Sequence, residues 1–297
     1  MITIHHLTRH EIDDIRWNNC IEKSAAGLIY ANAAYLDHLS AGWEALVAGD
    51  YECVMPLTLK KKYGIRYLSQ PPFCQQLGVI GQNIGEVLPD ILYKSRYLFP
   101  FGEISLNFEN TKSQAALCNN LILPLFPSYD FISSGYNNDL RKNLARSMQF
   151  SLHYHPGNNV EECITLYRKT YGQRFPQVRA SHYEGLKKFC LSNKGHFIIR
   201  EVRSGEKLLS TVLCLTDSKR IYFLASTTLP EGRNMEANHF LVDNIIREFS
   251  GSDLILDFEG SDIPGIAAFY KNFGAINQPY PKIYWNRLKW PWSMFKK

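Results

Sequence analysis

Three runs rich in β-branched and aromatic residues, His196–Val202, Leu208–Leu215 and Arg220–Ser226, follow one another in the last third of the chain. Short polar breaks separate them. Ser204-Gly205-Glu206 contains a residue that tolerates positive φ, and Thr216-Asp217-Ser218 can bond its own backbone, so both breaks predict hairpin turns. The pattern predicts an antiparallel meander. The apolar period then lengthens: Ala237, Phe240, Leu241, Ile245 and Phe249 share one helical face, while Asp243, Arg247 and Glu248 point largely elsewhere. Ser250-Gly251-Ser252 stops that helix. Leu254–Phe258 predicts a buried strand. Ile263, Ile266, Ala267, Tyr270 and Phe273 predict a short helix ended by Gly274, and Lys282–Leu288 a last strand.

The first half carries an echo of this order. Ile104-Ser105-Leu106-Asn107-Phe108-Glu109 is similar to Leu254-Ile255-Leu256-Asp257-Phe258-Glu259. Trp43–Ala48, Cys53–Leu59 and Arg66–Ser69 repeat the meander, Ile84–Leu98 the long helix and Thr111–Leu121 the short one. The repeat predicts an α/β (α+β) chain of two similar domains, each a mixed, mostly antiparallel sheet flanked by helices. They are expected at residues 1–135 and 136–297, divided in the turn-rich Ser134-Gly135-Tyr136-Asn137-Asn138, with a linker helix over 139–149.

The local sequence Ala267-Ala268-Phe269-Tyr270-Lys271-Asn272-Phe273-Gly274 resembles the A-x-x-F/L-Y-x-x-x-G-F pattern near the end of GCN5-related N-acetyltransferases, the GNAT superfamily. The tandem arrangement is similar to the FemAB group, whose members transfer aminoacyl groups from tRNA to peptidoglycan precursors. Its sharper pieces are Tyr30–Leu36, Arg141–Ser147 and Asp257–Ser261. The resemblance implies acyl transfer to an amine on a small molecule or an envelope precursor, with acetyl-CoA or another acyl-CoA as donor. It implies that Tyr270 protonates the departing thiolate; packing of Tyr270 between helix and sheet is the plainer alternative. It also implies that the backbone of Leu224, Ala225 and Ser226 contacts the donor carbonyl. Arg233, Asn234 and Asn238 fall in the stretch matching the pyrophosphate loop Q/R-x-x-G-x-G/A. Two departures stand there, because Glu236 and Asn238 occupy the small-residue positions.

A further departure concerns the donor. Aminoacyl-transferring relatives tend to carry F-K-x-x-F-G, whereas this chain reads Phe269-Tyr270-Lys271-Asn272-Phe273-Gly274 and shows no heptad pattern for an inserted coiled-coil arm. Both features favour acyl-CoA over aminoacyl-tRNA. The aminoacyl-tRNA donor and a non-catalytic binding protein remain the rival readings.

For the base the sequence offers Asp257 and Glu259, at a strand end where α/β sheets place ligands. Alternation sets both on one face, where paired carboxylates raise one another's pKa. The alternative is that they cap the helix starting near Pro264, with Ser261 or Asp262. Arg141, Lys142 and Arg146 form a basic helix face suited to a phosphorylated or carboxylated acceptor, or simply to solvent. His153 and His155 alternate as on a strand without a third ligand nearby, so no metal is expected. There is no Ser-His-Asp order, P-loop or Rossmann fingerprint.

Composition narrows the setting. The 297 residues are 45% apolar, enough for a real core, and the net charge of +5 permits an anionic ligand without demanding nucleic acid. Seven cysteines without a C-x-x-C pair predict reduced thiols and a cytoplasmic protein. No window has the length of apolar sequence needed to span a bilayer. The tail from Trp285 onward mixes aromatics with cations, which fits either peripheral membrane contact or packing on a neighbouring domain.

Overall fold

The computed structural model describes residues 2–113, 115–260 and 262–295; Met1, Gln114, Ser261, Lys296 and Lys297 lie outside the described residues. The chain forms two compact units, one of residues 1–118 with 279–297, the other of residues 119–278.

The first unit runs β1 (Ile4–Thr8), α1 (Asp14–Lys23), α2 (Ala33–Leu39), β2 (Glu44–Ala48), β3 (Cys53–Leu57), β4 (Leu59–Lys62) and β5 (Ile65–Ser69). It continues with β6 (Ile80–Gly81), α3 (Ile84–Leu98), β7 (Phe101–Ser105) and β8 (Ala116–Cys118). Among the described residues these strands make a sheet of order β1-β2-β3-β6 and a second that runs β4-β5-β7, then a strand from the end of the chain, then β8. The fully buried pair Trp17 and Trp43 anchors its core, ring centroids 4.8 Å apart, with the Trp17 indole N–H donating to the Ala31 carbonyl at 2.8 Å.

The second unit runs β9 (Leu121–Pro124), α4 (Tyr129–Ser134), α5 (Asn138–Ser147), β10 (His153–Gly157), α6 (Val160–Tyr171) and α7 (Ala180–Ser192). Next come β11 (Phe197–Ser204), β12 (Lys207–Thr216), β13 (Arg220–Thr228), α8 (Pro230–Asn234), α9 (Ala237–Phe249), β14 (Ile255–Asp257), α10 (Pro264–Lys271) and β15 (Ile276–Asn277). The sheet order is β10-β11-β12-β13-β14-β9-β15, antiparallel throughout except for the parallel pair β13–β14. The expected meander is present. Gly205 takes φ +55 at the first turn, and at the second the Asp217 carboxylate accepts the N–H groups of Lys219 and Arg220, each at 2.8 Å. Val202, Val212, Ile221, Phe223 and Leu256 share a core with Leu241, Val242, Ile245 and Ile246 of α9. Of the predicted face, Ala237, Leu241 and Ile245 are buried and Phe240 and Phe249 half-buried; Val242 and Ile246 are buried besides, and Asp243, expected to point elsewhere, turns inward to accept from the Tyr129 and Tyr136 hydroxyls at 2.9 Å.

The echo between the halves has a structural basis. Asn107 accepts the N–H of Glu109 at 3.1 Å, and Asp257 accepts the N–H of Glu259 at 3.0 Å, so the same local turn follows β7 and β14.

Three expectations are corrected. Thr111–Leu121 is no helix: a single 3-10 turn at Thr111–Ser113 gives way to β8, and Leu121 opens β9. The segment 119–135 belongs to the second unit, because β9 pairs with β14 through Ile122↔Asp257 and its neighbours. The last strand, β16 (Tyr280–Asn286), completes the first unit between β7 and β8. There Trp285 lies opposite Gly102, where a Cβ would meet the indole at 2.2 Å, and donates its N–H to the Phe99 carbonyl at 2.8 Å. In each unit one sheet thus takes in a strand from the other half of the sequence. Period-2 patterning specifies a strand but not which open edge receives it.

Candidate functional site

The opening between β13 and β14 arises from unequal lengths. The two strands pair only over Arg220–Tyr222 and Ile255–Asp257; β14 then stops, while β13 continues to Thr228. A register shift against β12, with Leu213 opposite Ala225 but Leu215 opposite Tyr222, marks a bulge in β13 where the strands part. Leu224, Ala225 and Ser226 lie just past it, on the stretch without a β14 neighbour among the described residues. The Ala225 carbonyl also receives a weak contact from the Cys163 thiol of α6, at 3.9 Å.

Aromatic rings pack together beside the end of β14. Tyr270 of α10 stacks on Phe258, centroids 4.3 Å apart and planes 17° from parallel, and meets Phe223 edge-on at 6.2 Å. Burial pushes the Tyr270 hydroxyl well above the usual phenol range, and the neighbouring Tyr167, Glu259 and Tyr171 push it further, so it holds its proton. Tyr167 and Tyr171, on the last turns of α6, were not singled out in the sequence; only their spacing of four on an amphipathic helix marked them as neighbours.

The two carboxylates differ. Asp257 is fully buried in an ion pair: one oxygen accepts from Arg220 at 2.7 Å and from Asn120 at 3.2 Å, the other from the Glu259 backbone. It is committed to holding β13, β14 and β9 together rather than placed as a free base. Glu259 lies beyond the strand with φ +61, so strand alternation does not set its direction and the same-face pairing fails. Burial raises its carboxyl to about 8; partly accessible and beside Tyr270, it can exchange a proton near neutral pH. Helix capping is not the role of Asp257 or Asp262 either: among the described residues α10 has no side-chain cap, and Asp262 accepts instead from the Asn119 backbone and amide; Ser261, the other candidate, lies outside the described residues.

The stretch matching a pyrophosphate loop is built differently. Glu236 takes the left-handed conformation, φ +58, at the position directly before α9 where the motif has glycine, and it is buried. Its carboxylate pairs with the Arg146 guanidinium and with His239 Nδ1 at 2.8 Å. A carboxylate so near would ordinarily keep an imidazole charged. Burial and then the Arg146 charge outweigh it, lowering His239 to about 4, so at neutral pH a neutral ring donates Nδ1–H to Glu236. Asn143 Nδ2 lies 3.3 Å from the other ring nitrogen, consistent with that tautomer, and Phe269 packs on the ring at 4.9 Å. Arg233 is exposed on α8 and reaches back to the Thr228 carbonyl, Asn234 is exposed, and the Asn238 side-chain oxygen is buried without a partner among the described residues. A negative charge already occupies the mouth of α9.

The expected basic face of α5 is dispersed. Arg141 donates to the carbonyls of Ser133, Ser134 and Tyr136, which satisfies the end of α4. Arg146 is held by Glu236, and Lys142 is exposed beside Asp139 at 3.8 Å. Two of the three are therefore engaged by partners within the protein, although both stay exposed. Among the described residues no three His, Cys, Asp or Glu side chains are grouped to hold a metal ion; His153 and His155 sit with rings 6.1 Å apart. Two cavities found elsewhere, of about 40 and about 280 Å³, belong to the first unit and touch none of these residues.

These features define a fold: two helix-flanked units in tandem, the first with two sheets and the second with one mixed sheet whose central strands part, are the arrangement found in tandem GNAT structures. FemX has a similar structure, with a TM-score of 0.66 and 13% identity over 98% of this chain and 99% of that one. The C-terminal domain of a putative lysylphosphatidylglycerol synthetase from Agrobacterium fabrum has a TM-score of 0.53 and 10% identity over 95% and 94% of the two chains. A tandem GNAT protein from the clavulanic acid biosynthesis pathway has a TM-score of 0.52 and 9% identity over 95% and 98%. No family model and no curated protein matches the sequence.

Proposed function

We propose that the second unit is a transferase that moves an activated acyl group to an amine at the opening between β13 and β14. The observation that carries this reading is the parting of β13 and β14 beside the stacked Tyr270–Phe258 pair, with Glu259, its carboxyl raised by burial to about 8, in the same neighbourhood. In the ionised state Glu259 takes a proton from the attacking ammonium or amine. The amine nitrogen then bonds to the acyl carbon, and Tyr270 gives its proton to the leaving oxygen or sulfur as that bond breaks. Backbone groups of Leu224, Ala225 and Ser226 supply the polar edge against which the acyl carbonyl is aligned. Lys142 is the α5 cation left to meet an anionic acceptor such as an envelope precursor. Seven free thiols suit a cytoplasmic setting.

Acyl-CoA is the donor the sequence favours, but the buried Glu236 carboxylate supports the other reading, an aminoacyl-tRNA donor. A pyrophosphate brought to the start of α9 would have to compete with the Glu236 carboxylate, which already holds the nearby Arg146, whereas an aminoacyl ester reaches the same carbonyl position without phosphates there. Calorimetric titration with acetyl-CoA, longer acyl-CoAs and an aminoacyl-tRNA at two salt concentrations tests this. Saturable tRNA binding without CoA binding supports the aminoacyl reading, and tight CoA binding overturns it. Silence from all of them, together with unchanged properties in Glu259→Gln and Tyr270→Phe, favours a non-catalytic binding protein.

A further inference from the structure

The first unit carries a surface unrelated to this chemistry. β4 and β5 are joined by Tyr63-Gly64, with φ +51 and +80, a two-residue turn that throws the Tyr63 ring outward, 68% exposed. The segment after β16 returns to this hairpin tip. Trp292 lies 5.7 Å from Tyr63, centroid to centroid, and the Lys62 ammonium sits over the Tyr63 ring at 5.1 Å. Around them Trp290 is 79% exposed, and Met294 and Tyr284 also face solvent. The small cavity beneath, of about 40 Å³, is lined by Lys62, Tyr67, Phe101 and Leu288 among others, room for a water molecule or two rather than for a ligand.

The charge on this surface is one-sided. Residues 59–69 and 279–295 hold seven of the thirty-three lysines and arginines and none of the twenty-eight carboxylates. The rest of the chain is therefore net negative by two, although the whole is +5. Glu44 and Glu103 offset Arg66 and Lys282 locally. Lys61, Lys62 and Lys289 stay exposed, Lys62 over the Tyr63 ring. Among the described residues no helix is long and apolar enough to cross a membrane, so any lipid contact here is peripheral.

We propose that the hairpin tip and the Leu288–Met294 segment form a docking surface for an anionic lipid bilayer. Tryptophan and tyrosine rings sit at the headgroup level while adjacent lysines meet lipid phosphates, and the two contributions reinforce each other. Nucleic acid would also attract the cations. Met294 and Pro291, however, offer no ring face to stack on a base, whereas both suit the acyl boundary.

Sedimentation of the full-length protein with vesicles tests the proposal, using phosphatidylcholine alone and phosphatidylcholine mixed with phosphatidylglycerol. Binding is expected to the mixed vesicles only, to weaken with salt, and to shift tryptophan emission to the blue. Lys61→Glu with Lys62→Glu should lower partitioning by about tenfold or more. Trp290→Ser should lower it severalfold while leaving the melting temperature unchanged, because the ring is exposed. Equal behaviour on both vesicle types overturns the proposal, as does tRNA binding lost in these variants without any change on vesicles. Self-association through the same residues in the absence of lipid does so too.

Discussion

Arg220 donates to Asp257 at 2.7 Å with side chains 3% and 1% exposed, so a complete ion pair is sealed into the sheet where β13 and β14 run parallel. Removing one partner leaves the other charged and unsolvated. Asp257→Ala is expected to destabilise the second unit by about 3–5 kcal/mol, and Arg220→Met together with Asp257→Leu by markedly less than the sum of the single changes. Urea unfolding of Asp257→Ala, of Arg220→Met and Asp257→Leu singly, and of their double checks this.

Glu259 predicts the pH dependence of rate. As a base it acts only when ionised, so kcat/KM should rise with pH and level off above about 8. The rising limb should vanish in Glu259→Gln along with most of the activity. A limb centred near 4.5 would contradict the assignment.

The same group acts on stability in the opposite sense. Its folded pKa is raised above the unfolded value of 4.5, so the native state is favoured at low pH and loses that advantage as pH rises towards 8. Glu259→Gln should therefore stabilise the protein at pH 8 relative to wild type by roughly 1–3 kcal/mol and have little effect near pH 4. Thermal melts at both pH values measure the difference.

Tyr270→Phe keeps the ring that stacks on Phe258 and removes only the hydroxyl. If Tyr270 is the acid, kcat falls by about a hundredfold or more with the melting temperature nearly unchanged. An unaltered kcat would return the tyrosine to a packing role.

His239 and Glu236 give two linked outcomes. The imidazole is lowered to about 4, so protonation on acidification favours the unfolded chain, and stability should drop as pH falls from 6.5 towards 4, less so in His239→Gln. Glu236→Gly removes both the left-handed non-glycine residue and the charge at the start of α9. Acetyl-CoA affinity should rise by about tenfold or more in that variant; if it does not, the carboxylate is not what excludes the donor.

Much of this was legible in the chain. The meander of 197–228, the α9 stripe, the ring pattern of Phe269, Tyr270 and Phe273 and the Asn107/Asp257 echo are local, and local periodicity and turn chemistry specify them. The substitution of Glu236 for glycine was visible as well, as a departure whose outcome the sequence left open.

Tertiary structure decided the rest. Strand pairing across more than a hundred residues placed β9 beside β14 and β16 beside β7, because edges are filled by register and side-chain fit that no local window contains. It also separated Asp257 from Glu259: one found a guanidinium and became structural, while the other was buried by its surroundings and had its pKa raised. A carboxylate's role depends on what desolvates and neutralises it, and those partners are brought together only when the chain folds.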